Sequence, residues 1–539
     1  MATDDGSLPP VKKNDEPEHP TKSKGDGAAR GLLKSSLVVA VMTMLSRILG
    51  LVRDVVIALY FGAGASADAF FVAFKIPNFL RRLFAEGAFA QAFVPVLSEY
   101  KTQRGLPETK LLIDSVAGVL GFVLLIITLV AILAAPALTA VFAPGFYADQ
   151  QKFTLASEML RITFPYLLFI SLTAFAGSIL NSYGRFAVPA ITPVLLNIVL
   201  ICSAVWLTPY FSGSAMSLAW GVLIAGMLQM MFQLPFLLRL NLLPRPRLDY
   251  RHEGVARILK LMVPALFGVS VSQINLLLDT VLASFLQSGS VSWLYYSDRL
   301  SELPLGVIGI AIATVILPAL SRNHASASLK EFSATLDWAL RSVMIIGLPA
   351  ALALMVLARP LIVTLFYYGE MTLLDVNMSA KSLLAYAMGL QAFMLIKVLA
   401  TGYFSRQDTK TPVKIGIYAM IANMVLNLIL IGPLAHVGLA MATSISAWMN
   451  AGLLMWGLVR TNVYFAQKGW PVFLLKLAIA NSFMLLAIFL VGPQSGDWEN
   501  YAVFERCYRM GSVVVAGVVV YFVALFVMGF RLSGLRKKA

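Results

Sequence analysis

Leu45-Ser-Arg-Ile-Leu-Gly-Leu-Val-Arg-Asp-Val-Val-Ile-Ala-Leu59 reads as a membrane-spanning helix that has kept three charges, Arg47, Arg53 and Asp54. The rest of the stretch is apolar enough to lie in ~30 Å of hydrocarbon, which a helix rising about 1.5 Å per residue crosses in about twenty residues. Apolar blocks of that length recur along the chain, and about fourteen of them fit before its end. Composition agrees, because 59% of the 539 residues are hydrophobic and 13% are charged, against about 25% charged in a soluble domain. The expected fold is an all-α polytopic membrane protein, and the ten-residue alternating segments of a membrane β-barrel do not dominate.

The charges between the blocks test this division. Every second loop is basic: Lys101/Arg104/Lys110, Arg185, the run Arg239 to Lys260, Arg322/Lys330, Lys410/Lys414, Arg460/Lys468 and finally Arg536/Lys537/Lys538. The intervening loops hold only Lys152, Arg359, Arg506 and Arg509. Cytoplasmic loops collect Lys and Arg, so both termini are expected on the cytoplasmic side of a bacterial inner membrane. The net charge of +15 then needs no nucleic-acid partner. Two separated cysteines, four scattered histidines and the absence of GxxxxGK[ST], HExxH or GxSxG give no metal centre, no ATP site and no hydrolytic site, so an enzyme is not expected.

Sliding the chain along itself exposes a repeat. Asp54-Val-Val-Ile-Ala faces Asp279-Thr-Val-Leu-Ala, Pro95-Val-Leu-Ser faces Pro318-Ala-Leu-Ser, Pro136 faces Pro360, and Pro189 faces Pro412, at separations of 223 to 225 (412 − 189 = 223, 279 − 54 = 225). Six spans separate equivalent points, so the halves share one orientation and form two parallel six-helix lobes about an axis along the membrane normal. The expected division is a disordered cytoplasmic tail over 1–31, a first lobe over 32–240, a basic cytoplasmic linker over 241–257, a second lobe over 258–460, and two further helices with a short basic tail over 461–539.

A charge at the bilayer centre costs about 2.5–3.5 kcal/mol on insertion scales, so intramembrane charges mark function. They concentrate in three spans. The first holds Arg47, Arg53 and Asp54; the second holds Asp68, Lys75, Arg81, Arg82 and Glu86; the eighth holds Asp298, Arg299 and Glu302. Pro77 and Pro304 interrupt the second and eighth spans and read as hinges, or as ordinary kinks of membrane helices. Guanidinium forks match phosphate oxygens bidentately, so converging arginines suit a diphosphate whose lipid tail stays in the bilayer. Pairing of Arg53 with Asp54 or Glu86 is the structural alternative.

The stretches Met44 to Asp54, Ala67-Asp-Ala-Phe-Phe-Val-Ala-Phe-Lys-Ile-Pro-Asn78, Leu80 to Pro95, Tyr296-Ser-Asp-Arg-Leu-Ser-Glu-Leu-Pro-Leu-Gly306 and Tyr403 to Pro412 resemble the MurJ/MviN family, the bacterial lipid II flippases of the MOP exporter superfamily. The resemblance runs from about Leu32 to the C-terminus. It implies transport of lipid II, the undecaprenyl-pyrophosphate-linked peptidoglycan precursor, from the cytoplasmic to the periplasmic leaflet by alternating access. It also implies an arginine-lined cavity built by Arg47, Arg53, Arg81, Arg82 and Arg299, with Asp54, Asp68, Lys75, Glu86, Asp298 and Glu302 as supporting or gating charges. Helices thirteen and fourteen would hold the lipid tail, and membrane lipids and cell-wall synthesis proteins would be partners. No organic cofactor is implied. Some members are thought to bind Na+, for which Asp279 matches one carboxylate and Asp408 is the nearest candidate second ligand; Asp279 as the cap of a side-chain network is the alternative. Export of another lipid-linked oligosaccharide or of a small molecule is the second functional reading. A cation exporter would want acidic walls, and a glycosyltransferase would want a larger polar loop than about twenty residues.

Overall fold

The computed structural model describes residues 23–311, 316–325, 328–492 and 498–530, and every regular element among them is a helix. Of the tail expected over 1–31, residues 1–22 lie outside the described residues, as does the C-terminal tail from 531, whereas the chain is already helical at Ser23. The first lobe runs through α1 (Ser23–Phe61), α2 (Ala65–Leu80), α3 (Ala90–Glu99), α4 (Gly105–Leu133), the short α5 (Ala135–Phe142), α6 (Gln150–Thr163), α7 (Tyr166–Ser182), α8 (Ala187–Cys202) and α9 (Met216–Arg239). The second runs through α10 (Glu253–Ser284), α11 (Ser290–Ala311), α12 (Leu317–Ala325), α13 (Leu329–Val356), the short α14 (Ala358–Phe366), α15 (Leu373–Phe404) and α16 (Lys410–Arg460). A hairpin of α17 (Trp470–Val491) and α18 (Val503–Val527) follows.

Among the described residues nine stretches are long and apolar enough to cross a membrane, against the fourteen expected from the sequence. Two of the nine are longer than one crossing. Ala65–Leu133 counts once although 69 residues of helix would run about 100 Å. Lys410–Arg460 counts once although Ala435, at φ 49° and ψ −130°, breaks it. The charge-bearing α1, α10 and α11 are not among the nine.

The internal repeat is visible in the backbone. Ala134 ends α4 at φ −86°, ψ 10°, and Leu357 ends α13 at φ −93°, ψ 10°. Asp149 caps α6 through the Lys152 amide, and Thr372 caps α15 through the Asp375 amide. Positive φ occurs at Gly184 and Gln407, and at Ser212 and Ala435. All four pairs are 223 residues apart (357 − 134 = 372 − 149 = 407 − 184 = 435 − 212).

Within the first lobe α1 packs on α8, and α7 and α8 pack on α9; within the second, α15 packs on α11, α13 and α16. α10 touches both lobes, lying on the π-helical turns Arg81–Phe89 and on α3 on one side and on α16 on the other. The 241–257 linker runs along α4. There the Asp114 carboxylate accepts the Arg245 amide at 2.7 Å and pairs with Lys110, while the Asp114 carbonyl accepts the Arg247 amide at 3.1 Å. α17 and α18 pack on each other and meet the second lobe through α13 and α14.

Pro77 and Pro304 both lie inside continuous helices. A proline frees the carbonyl four residues before it, and two such carbonyls are claimed from other helices. For Pro77 the freed Ala73 carbonyl accepts the Thr163 hydroxyl of α6 at 2.9 Å. For Pro349 the freed Ile345 carbonyl accepts the Tyr521 hydroxyl of α18 at 2.6 Å, which fastens the hairpin to the second lobe. Tyr521→Phe should therefore lower stability by about 1–3 kcal/mol, the cost of a buried unsatisfied acceptor, read as a lower thermal unfolding midpoint of the detergent-solubilised chain.

Candidate functional site between the lobes

Chain direction orders the site in layers. α1 runs from the end carrying the basic loops to the far end, and α2 and α11 run the other way. At the far end the first lobe meets the second backbone to backbone. The Glu370 amide donates to the Leu59 carbonyl at 3.0 Å, and the Tyr296 hydroxyl donates to the Gly62 carbonyl at 2.8 Å. Gly62 (φ 58°) faces the Glu370 carbonyl and Gly369 (φ 55°) faces the Leu59 carbonyl, so neither position has room for a Cβ.

Asp68 also belongs to this far layer and not to the cavity. Fully buried, it pairs with buried Lys152 at 2.7 Å and caps the start of α11, accepting the Gly289 and Ser292 amides at 2.8 and 2.9 Å and the Ser292 hydroxyl at 2.6 Å. Lys152 is thus the internal counter-ion of Asp68. Below this layer Phe71 of α2 stacks on Tyr295 of α11, with ring centroids 4.0 Å apart.

The next layer is ionic. Asp54 of α1 is 0% exposed and serves both lobes. Its Oδ1 accepts Arg53 Nε and Nη2 at 2.9 and 2.7 Å and the Tyr295 hydroxyl at 2.9 Å; its Oδ2 accepts Arg299 Nε at 2.8 Å. Arg53, 4% exposed, also donates to Asn197 of α8 at 3.0 Å and to the Tyr295 hydroxyl at 3.0 Å. Arg299 reaches Glu302 at 3.3 Å. The pairing alternative for Arg53 is therefore realised with Asp54, and the same carboxylate ties α1 to α11.

A cavity of about 330 Å³ opens beside this hub. Arg53, Lys75, Arg81, Arg82, Arg299, Asp279, Asp298 and Glu302, all read from the sequence, line it, together with Tyr295, Gln273, Asn78 and Thr443. Arg81 donates to Asn78 at 3.2 Å. Lys75 and Arg82 have no ion pair or hydrogen bond among the described residues. Arg82 and Glu302 are exposed, so the cavity meets the surface on their side, toward the basic end. Arg47 does not line the cavity; its guanidinium lies against Gly306 of α11, still nearer the basic end. The side chain of Glu86 lies outside the described residues.

Asp279 joins α10 to α16. It accepts Asn427 Nδ2 at 2.8 Å; the same amide donates to Asn423 Oδ1 at 3.0 Å, and Asn423 reaches Thr443 and Ser446 at 3.3 and 3.4 Å. Asn427 Oδ1 is buried without a partner. Asp408 does not take part: its carboxylate accepts the Thr411 amide at 3.0 Å at the start of α16. Among the described residues no three His, Cys, Asp or Glu side chains cluster as a metal site. Tyr295, Asn197 and the pair Asn423/Asn427 escaped the sequence reading, which took Lys152 only as a loop base. The available signal was polar residues in apolar spans, four apart in the case of Asn423 and Asn427.

At the basic end α10 is clamped to the first lobe by Arg104–Glu253 at 3.1 Å and Arg257–Glu99 at 2.8 Å. The hydrogen bond and charge of Arg104 hold the Glu253 carboxyl below its ordinary range. A depressed carboxylate stabilises the folded contact above its unfolded value, about pH 4.3, and loses that contribution as pH falls through the lower folded value. Hydrogen exchange at the start of α10 should thus be indifferent to this pair from pH 6 to 8 and rise below about pH 4; Glu253→Gln should remove the acid-dependent part.

A family model described as lipid II flippase MurJ matches residues 57–500. The chain is 50% identical over 515 residues to a probable lipid II flippase MurJ of Vibrio cholerae, covering 94% of this chain and 98% of that one. It is 41% identical over 514 residues to the lipid II flippase MurJ of Burkholderia cenocepacia, covering 94% and 99%. A solved lipid II flippase MurJ in an inward closed conformation superposes with a TM-score of 0.77 at 27% identity, over 91% of this chain and 98% of that one. An inward-facing MATE multidrug transporter of the MOP superfamily shares the fold, with a TM-score of 0.64 at 16% identity over 79% and 98%.

Proposed function

The chain belongs to the lipid II flippase MurJ family, and on that premise we propose that it carries lipid II from the cytoplasmic to the periplasmic leaflet of the bacterial inner membrane by alternating access, with both termini cytoplasmic. It moves its substrate and does not transform it. The observation that carries the mechanism is the sharing of Asp54 between Arg53 of one lobe and Arg299 of the other, beside a cavity whose Lys75 and Arg82 have no partner among the described residues.

A diphosphate entering from the basic end meets Lys75 and Arg82 first, since those cations give up no ion pair with any of the described residues to bind it. Deeper in, it competes with Asp54 for Arg299 and Arg53. It has more charge and more acceptor oxygens than one carboxylate, so guanidinium forks can exchange onto it. That exchange replaces a fixed cross-lobe bond by a bond to a mobile ligand. The lobes can then rock until the far layer opens, while the lipid tail remains in the bilayer. A ligand moves such an equilibrium only by its differential affinity for the two states, and the broken Asp54–Arg299 bond supplies the difference.

A monovalent cation fits the Asp279 network. The donors are hard oxygens, and the unpartnered Asn427 Oδ1 stands in the network beside a carboxylate. Asp279, Asn423, Asn427 and Thr443 would hold Na+, which when bound supplies counter-charge to Asp279. These residues join α10 to α16, so the cation would bias how α10 sits between the lobes.

The test is depletion of the native lipid II flippase of a bacterium and supply of this chain at matched membrane levels, reading lipid II accessible on the outer leaflet. The parent should restore it, whereas Arg53→Ala and Arg299→Ala should not. Arg299→Lys should also fail where bidentate geometry matters. A properly inserted parent that leaves lipid II inside would overturn the substrate assignment and return the reading to export of another amphipathic anion.

A further inference from the structure

We propose that a second cavity, outside the path between the lobes, binds an anionic glycerophospholipid of the leaflet at the basic end. The cavity measures about 350 Å³ and lies where α1, the α7–α8 turn and the end of α9 meet. Its walls include Val38, Phe186, Phe236 and Leu240, and its charged lining residues among those described are Arg185 and Arg239. Neither guanidinium has a carboxylate or hydrogen-bond partner among the described residues, and both residues are exposed.

The arginines are presented by rigid elements. Gly184, at φ 75°, reverses the chain after α7, with its amide bonded to the Asn181 carbonyl at 3.0 Å and the Arg185 amide bonded to the Leu180 carbonyl at 2.9 Å. Lys101 fixes the same turn, donating to the Ser182 carbonyl at 2.7 Å and lying 4.3 Å over the Tyr183 ring. Arg239 ends α9 over the Phe236 ring at 5.7 Å.

Two guanidinium groups on one rim with no partner among the described residues suit a phosphodiester. A mostly apolar recess beside them adds nothing for a soluble phosphate but accepts the first methylenes of an acyl chain. Arg185 and Arg239 also belong to the basic loops, the level at which phospholipid headgroups lie. An amphipathic anion satisfies all three features. Because the recess borders α1, which carries Asp54 and Arg53, the bound lipid would brace that helix from outside.

The experiment uses the full chain in detergent micelles and native mass spectrometry, with dioleoyl-phosphatidylglycerol and dioleoyl-phosphatidylethanolamine as probes. Each arginine facing an anionic headgroup contributes about fivefold in affinity, so Arg185→Gln/Arg239→Gln should lose roughly tenfold or more of phosphatidylglycerol retention and leave phosphatidylethanolamine unchanged. Val188→Trp keeps both arginines but fills the recess, and should lose phosphatidylglycerol too. The control Arg245→Gln/Arg251→Gln removes equal charge from the same end away from the cavity and should retain it. Equal loss in the control would overturn the proposal in favour of diffuse attraction. Displacement of the lipid by sodium pyrophosphate, with full retention in Val188→Trp, would overturn it in favour of a soluble-phosphate site. An unchanged thermal unfolding midpoint shows that each variant is folded.

Discussion

Asp54→Asn should abolish flipping. The substitution keeps the shape of the side chain and removes the one charge on which Arg53, Arg299 and the Tyr295 hydroxyl converge. Arg53 would remain almost fully buried with only Asn197, Tyr295 and an amide oxygen for company. Breaking a buried pair by removing one partner costs about 3–5 kcal/mol, so the unfolding midpoint should fall together with the outer-leaflet lipid II signal. Arg53→Gln/Asp54→Asn separates the two effects: with no uncompensated buried charge it should recover most of the lost stability, yet still not transport. Parent-level transport by Asp54→Asn would remove the exchange of arginines from the mechanism.

The second large effect is expected at Asp68. Asp68→Ala leaves the Lys152 ammonium, 5% exposed, with the Ser288 hydroxyl as its remaining hydrogen-bond partner, and uncaps α11, again about 3–5 kcal/mol. Hydrogen exchange over 286–293 should rise, and transport should fall because the far end no longer holds closed while the substrate loads. Asp68→Leu/Lys152→Met removes the charge problem and leaves the uncapped helix. If it restores stability but not slow exchange, the cap is the gating element; if it restores both, the ion pair is.

Much of this was legible before any coordinates. Charge alternation suggested about fourteen spans, against nine apolar stretches among the described residues, whereas the repeat at 223 residues reappears in helix breaks, caps and positive φ values because each is set by local sequence. Concentration of charge in the first, second and eighth spans gave seven of the eight charged residues in the cavity wall, Asp279 being the eighth. Partner identity was not legible. Arg53 and Asp54 are adjacent in sequence, yet only packing of α1 against α8 and α11 brings Asn197, Tyr295 and Arg299 to them. Lys152, Arg359, Arg506 and Arg509 looked like stray loop bases against the charge rule. Each is held in the folded chain, by Asp68, Glu499, backbone carbonyls and Glu505 respectively, so these bases serve local structure at the far end. Asp408, offered by the sequence only as the nearest candidate, is engaged elsewhere because a carboxylate just before a helix serves the nearest free amide.

The far layer, where Gly62 and Gly369 let main chain lie directly on main chain, bears on electrical insulation. Side-chain plugs open momentarily whenever a rotamer flips, on a timescale far shorter than lobe motion, and each opening can admit a file of water that conducts protons. Where the Glu370 amide meets the Leu59 carbonyl the contact has no such rotor, and Tyr296, whose hydroxyl holds the Gly62 carbonyl beside it, is fully buried. Such a contact parts only when whole helices separate, so the closed far layer should hold a proton gradient against leak above the charged cavity beneath it. Adding a methyl group at either glycine should therefore register first as proton conductance in vesicles rather than as lost substrate binding.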